Sequence, residues 1–297
     1  MVWPSKPQAA GQQIRQGVID RSDLEPLAVF LGRAPSGDVL PACWQWCHLL
    51  DPVDPRQLDE DGYLIGGVIT PQAGMTRMFA GGRVRMKEPL RLGVPTSRST
   101  RVARRTVKNG RHGKLTFVTL ESTWSQAGHT LLTDEQDYVF TATRPVRTPE
   151  GAPSDPGASS SAAVSSPADT SSPSHAGAPG QPLTGDLADL GPGRIAVTEP
   201  MLVTFSALTA NPYRIHWDRA FCARAGHPGL VIHGPLQALW LAEEFTRRGV
   251  DAAGRTFCYR LTASATAPAV MSVGEGPDGE LAVRRPDGTI TATASLS

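Results

Sequence analysis

Asn211 and His216 stand five residues apart in FSALTANPYRIHWDRAFCARAGHPGLVIHGPL, residues 205–236. An imidazole titrates near neutral pH and both accepts and donates protons. A neighbouring amide holds a water or a leaving hydroxyl. Such a pair suits chemistry in which a proton moves at one carbon and a hydroxyl at the next. Hydrating an enoyl thioester, or dehydrating a 3-hydroxyacyl thioester, is that chemistry. Charge then gathers on the thioester oxygen, and the free N–H groups of a helix start are suited to receive it. His233 and Gly234 come directly before a helical pattern opening at Pro235. Proline has no N–H, so the Gly234 N–H is the expected oxyanion donor. His233 either packs at the helix start or contacts substrate.

The elements that must position these residues are mostly strands. Residues 83–95 (RVRMKEPLRLGVP) alternate apolar and polar positions before turning at Pro89 and Gly93. Residues 260–274 do the same around Pro268 and Gly274. Each is followed by a hairpin pattern, one turning at Ala127-Gly128 and the other at Asp287-Gly288; period-two alternation flanking a glycine turn is the hairpin signal. The best helix runs from about Pro235 to Arg248, with Leu236, Leu239, Trp240 and Phe245 sharing a face and Gly249 as its stop. A second covers Asp23 to Leu31, with Asp20 or Ser22 as cap. Antiparallel sheet around a helix, twice over, is an α+β architecture.

Between the two units, Gly, Ala, Ser and Pro supply 25 of the 30 residues from Gly151 to Gly180. That composition buries too little surface to offset its ordering entropy, so a disordered linker is expected over 148–182. It separates a first unit, 1–147, from a second, 183–297.

Composition excludes several classes. The 297 residues carry a net charge of +1, giving no overall pull toward nucleic acid or anionic membrane. No apolar run approaches the roughly 20 residues needed to span a bilayer, and the polar N-terminus has no secretory pattern; a cytoplasmic location follows. Four cysteines do not make a disulfide framework, and no second pair of ligands completes a metal site. Gly191-Pro-Gly193 loosely matches a dinucleotide fingerprint, but a strand rather than a helix follows it. Neither cofactor nor metal is expected. Residues 91–114 hold eight Lys or Arg and no acid. They read first as a solvated strand face, second as contacts for the phosphates of coenzyme A or an acyl carrier protein. Without interleaved aromatics they do not read as a nucleic-acid groove.

The string Asn211-Pro-Tyr-Arg-Ile-His216-Trp-Asp218 resembles the active-site motif of the MaoC-like hydratase/dehydratases of the hot-dog superfamily. With GLVIHGPL it is similar to one branch, which includes the type 2 hydroxyacyl-thioester dehydratases of mitochondria and bacterial mesaconyl-CoA hydratases. Thr76-Arg-Met-Phe-Ala-Gly-Gly82 and Lys108-Asn-Gly-Arg-His-Gly113 extend the likeness into the first unit. The resemblance implies a double hot-dog fold with Asn211 and His216 catalytic. It also implies a hydro-lyase acting on acyl thioesters, with coenzyme A substrates of mesaconyl type foremost. Asn211 stands where the wider family has an acidic residue, so that either His216 alone makes both proton transfers or a water relay helps it. The first unit, lacking an Asn/His pair, would shape the acyl pocket and complete a pseudo-dimer; a homodimer of the whole chain is possible. A carrier-protein dehydratase of fatty acid or polyketide synthesis, and a thioester-binding protein without activity, remain as alternatives.

Overall fold

The computed structural model describes residues 12–67, 69–71, 74–110, 113–142 and 190–297. The expected linker and the Arg111-His112 part of the second quoted motif lie outside these residues. The first half contains β1 (Gln12–Val18), α1 (Glu25–Leu31), β2 (Met75–Met86), β3 (Pro95–Gly110), β4 (Gly113–Gln126) and β5 (His129–Ala142). The second opens with β6 (Arg194–Val197), α2 (Glu199–Leu208), α3 (Arg219–Arg224), β7 (Leu230–Val231) and α4 (Gly234–Arg247). It continues with β8 (Arg255–Leu261), β9 (Thr266–Ala267), β10 (Ala269–Glu275), β11 (Leu281–Arg284) and β12 (Ile290–Leu296).

Ten strands form one sheet in the order β1-β3-β4-β5-β2-β8-β12-β11-β10-β6. Read from its own edge, each half follows one plan: first strand, third, fourth, fifth, second. The two second strands meet at the seam, where β2 pairs antiparallel with β8 from Gly81↔Arg260 to Met86↔Arg255. Two like units fused edge to edge around helices are the double hot-dog of the α+β class. The β4–β5 turn is tight because Ala127 and Gly128 both take positive φ, 47° and 81°, the twist a two-residue hairpin demands.

α4 is the helix of the second half, and its surroundings explain its sequence. It lies against β8, β10, β11, β12 and, across the seam, β2. Leu236, Ala238, Leu239 and Leu241 are all at most 1% exposed, and each leucine contributes roughly 1.5–3 kcal/mol by burial. Even Gln237 is enclosed, its side-chain oxygen accepting from the Thr291 hydroxyl at 2.6 Å. The sheet curls around this helix, so more than one face is buried.

The first half is built differently. The expected helix from Asp23 resolves into a 3₁₀ turn, Arg21–Leu24, capped by Asp20, and the seven-residue α1 that follows. α1 packs on α2 of the other half. The sheet's inner face receives instead the turn Trp44–Cys47, where buried Trp44 and the Trp46 N–H, donating to Asp134 on β5 at 2.6 Å, replace a long helix. Prolines 35, 41, 52, 55 and 71 explain this, since each breaks a helical run. Leaving out the long helix opens space above the first half of the sheet.

Candidate active site

α2 ends at Leu208, and the chain bends through Ala210, whose φ of 48° is strained for a residue with a side chain. The bend is pinned by the Asn211 N–H donating to the Ser206 carbonyl at 2.8 Å. Asn211 then enters a turn in which its side-chain oxygen accepts from the Tyr213 N–H at 3.3 Å. The other end of its amide has no partner among the described residues and lines a cavity of about 800 Å³.

A 3₁₀ turn, Arg214–His216, presents the histidine. Asp218 fixes this turn from behind by capping α3 and pairing with Arg214 at 2.6 Å. The ring of His216 is oriented by a second element. β7 pairs with β9, which sets the Val231 carbonyl 2.7 Å from His216 Nδ1. Nδ1 therefore carries the proton in the neutral ring and donates it to that carbonyl. Nε2, without a protein partner among the described residues, faces the cavity as a base. His216 is only 8% exposed. Burial lowers its pKa to about 4, against the raising effect of the Val231 bond and with further lowering by the Arg77 cation. At neutral pH it is uncharged.

His233 lies behind it. The two imidazoles stack at 3.5 Å between centroids and 16° from parallel. His233 has no exposed surface, and its Nε2 meets the Ser206 hydroxyl at 2.9 Å. Burial, and then the neighbouring His216, hold its pKa well below the ordinary value. Its side chain makes no capping bond to α4, and its Nδ1 has no partner among the described residues.

Gly234 begins α4, and its N–H has no partner among the described residues. A Cβ here would lie 2.7 Å from the Phe79 ring of β2 and 3.3 Å from Leu261. Absence of a side chain lets the helix start, with its partial positive charge, face the cavity from the seam. Asn211, His216, His233 and Gly234 thus all border one cavity.

The first half also braces the turn that carries Asn211 and His216, a contact that residue spacing does not announce. Gly62 has a φ of 91°, and a Cβ on it would collide with the Pro212 carbonyl, so the loop at 59–63 lies flush on the Asn211 turn. The Asp61 carbonyl accepts from the Arg214 N–H at 3.0 Å, the Glu60 carbonyl accepts from the Arg214 guanidinium at 2.7 Å, and Tyr63 stacks on Tyr213 at 4.4 Å. Arg77 lies over Tyr63 and Tyr138 with no acidic partner among the described residues. Of the basic run, Arg98 turns inward to pair with Asp51, whereas Arg105 and Lys108 on β3 are exposed. Among the described residues no three side chains gather as a metal site, and no helix is long and apolar enough to cross a membrane.

This geometry supplies a neutral base, an amide donor and a helix-start N–H around one space, the requirements for adding water beside a thioester. Comparison with known proteins bears on the family and the fold. The sequence profile of the hydroxyacyl-thioester dehydratase type 2 family matches residues 43–176 and 179–267. A mesaconyl-C(4)-CoA hydratase of Chloroflexus aurantiacus is 31% identical over 308 residues, spanning 100% of this chain and 96% of that protein. In fold, the chain is similar to HtdX of Mycobacterium tuberculosis, with a TM-score of 0.61 at 15% identity, covering 96% of this chain and 98% of that one. A MaoC-like dehydratase from Phytophthora capsici gives a TM-score of 0.57 at 13% identity, covering 96% and 95%.

Proposed function

The chain belongs to the hydroxyacyl-thioester dehydratase type 2 family and is a hydro-lyase acting on coenzyme A thioesters, and from that premise we propose that it hydrates a mesaconyl-CoA-type enoyl thioester reversibly at His216. The observation carrying this reading is the anchored ring, with Nδ1 held by Val231 and Nε2 left facing the cavity. The substrate class rests on the 31% identity to the mesaconyl-C(4)-CoA hydratase along the whole chain.

In hydration, a water held by the free Asn211 amide gives its proton to His216 Nε2. Its oxygen bonds to C3 as the C2–C3 π pair shifts toward the thioester. The resulting enolate oxygen accepts the Gly234 N–H at the start of α4. Collapse of the enolate returns that proton from Nε2 to C2, which restores neutral His216. One residue thus makes both transfers, and no carboxylate is required. His233 acts as a positioning residue, keeping the His216 ring in place from behind.

The division into a pocket-forming unit, 1–147, and a catalytic unit, 183–297, joined by 148–182, belongs to the same proposal, as does a cytoplasmic location. The test is loss of enoyl absorbance from crotonyl- and mesaconyl-CoA with purified full-length protein. Turnover supports the reading; well-folded protein inert toward both contradicts it and favours carrier-protein substrates or a silent site.

A further inference from the structure

The cavity that holds His216 continues into the first half, and its inner wall there is polar. Thr100, Ser122 and Asp134 stand side by side in one register row across β3, β4 and β5, with the two hydroxyls 2.7 Å apart. Arg98 and Trp124 face each other in the next inward row, and Gln45 lies beside the Asp134 carboxyl, whose pKa it helps to lower against the raising effect of burial. All six residues line the cavity.

A wall shaped for an alkyl chain would carry apolar side chains. This one buries groups whose hydrogen-bonding capacity goes unanswered: both ends of the Gln45 amide, Trp124 Nε1, Arg98 Nε and Asp134 Oδ1. Gln45, Trp124 and Asp134 are 1%, 2% and 3% exposed. Buried polar groups are nearly always paired, so several orphans on one wall mark where a ligand supplies the partner.

Donors prevail in this set: the Gln45 NH₂, the Trp124 N–H and the Arg98 N–H. Arg98 and Arg15 share the single carboxylate of Asp51, which leaves positive charge beside the wall. Burial raises the Asp134 carboxyl to about 7, so below that pH it keeps a proton to donate. A carboxylate accepts at both oxygens and donates at neither, the complement of such a set. The wall is also set apart from the reacting centre. Asp134 lies four residues along β5 from Tyr138, whose ring packs on Phe79 beside Gly234, a separation of roughly 13 Å at the strand rise.

We propose that the enzyme accepts enoyl thioesters whose acyl group ends in a carboxylate several carbons beyond the reacting bond, held there by Gln45, Arg98 and Trp124. The inference rests on the hydratase reading of the site and not on a mesaconyl acyl group, whose carboxylate lies on the reacting bond itself; it concerns the far end of a longer acyl chain.

Calorimetric titration of the full-length protein with unreactive saturated thioesters tests it. Succinyl-, adipyl- and suberyl-CoA are compared with butyryl-, hexanoyl- and octanoyl-CoA. Gln45→Met and Trp124→Phe remove the polar groups while keeping much of the buried volume, and they are combined in one variant whose folding is established by circular dichroism. Adipyl- or suberyl-CoA should bind wild type about tenfold or more tighter than the monoacid of equal length. The double variant should lose that preference and keep its monoacid affinity. Equal or weaker binding of the diacids at every length, as water-filled orphans would give, overturns the proposal, as does a preference that survives both substitutions. Crotonyl-CoA turnover by wild type separates the two readings. Turnover without a diacid preference defeats the polar wall alone, whereas a diacid preference without any turnover defeats the hydratase reading alone.

Discussion

His216 and His233 lie face to face, their ring centroids 3.5 Å apart, although 17 positions separate them in the chain. Two buried imidazoles at this distance cannot both take up protons, and each is further held neutral by the loss of water around it. Burial, helped by the Arg77 cation, therefore leaves His216 uncharged at neutral pH, with Val231 choosing which nitrogen is free.

The first consequence is kinetic. His216 must be neutral to take a proton from water, so kcat/KM for hydration should stay level through pH 6 and fall only toward its pKa of about 4. Arg77→Met removes a cation that helps lower that pKa, so the acid limb should move upward. A wild-type limb near the ordinary 6.5, or one indifferent to Arg77→Met, contradicts this placement of charge.

Stability should depend on pH through groups of opposite sign, with His216 and Asp134 as one of each. The lowered pKa of His216 means the unfolded chain binds more protons between about 6.5 and about 4, so its contribution is lost as pH falls through that window, by roughly 3 kcal/mol. The Asp134 carboxyl is raised from 3.8 to about 7; the folded chain then binds more protons in that window, and stability declines as pH rises through it. Asp134→Asn removes the second effect alone. In urea titrations its stability relative to wild type should improve steadily from pH 4 to pH 8, by as much as ~4 kcal/mol. A constant difference would show that the carboxyl is not held protonated.

Gly62 touches no reacting atom, yet its backbone lies against Pro212. Gly62→Ala adds a methyl to a position with a φ of 91° and drives it into the Pro212 carbonyl. A loss of about 2 kcal/mol or more is expected in denaturant unfolding. A lower kcat should accompany it, because the loop that holds Arg214 and Tyr213 is lifted. Wild-type kcat in this variant would mean that the loop does not position the catalytic turn.

At the seam, Gly234→Ala brings a methyl to 2.7 Å from Phe79. Activity should fall well over tenfold as the helix start shifts from the oxyanion position. Phe79→Ala in the same chain should restore part of it by clearing the space. Equal losses in the single and double variants would show that the clash with Phe79 is not the cause.

Much of this was legible in the sequence, and the reason is locality. The Asp287-Gly288 turn, the start of α4 at Gly234 and the Asn211–His216 spacing are each written within a few residues, where period, proline and glycine speak directly. The loop at 59–63 was not legible, because its contact with Arg214 joins residues about 150 apart and leaves no periodic mark. Asp134 reads as an exposed acid in TDEQD, residues 133–137. Only the sheet register and the descending Trp46 turn it into a buried group. The short α1 was overestimated at its N-terminal end, since Asp20 caps a 3₁₀ turn rather than the helix itself.

The central claim is that His216 makes both proton transfers, and His216→Gln tests it most directly. Hydration of crotonyl- and mesaconyl-CoA is followed by loss of enoyl absorbance, beside circular dichroism to establish folding. The account predicts a kcat lowered by about 10² to 10⁴ in a folded variant with KM little changed. A folded variant retaining activity within about tenfold of wild type would contradict it and place the base elsewhere in the cavity.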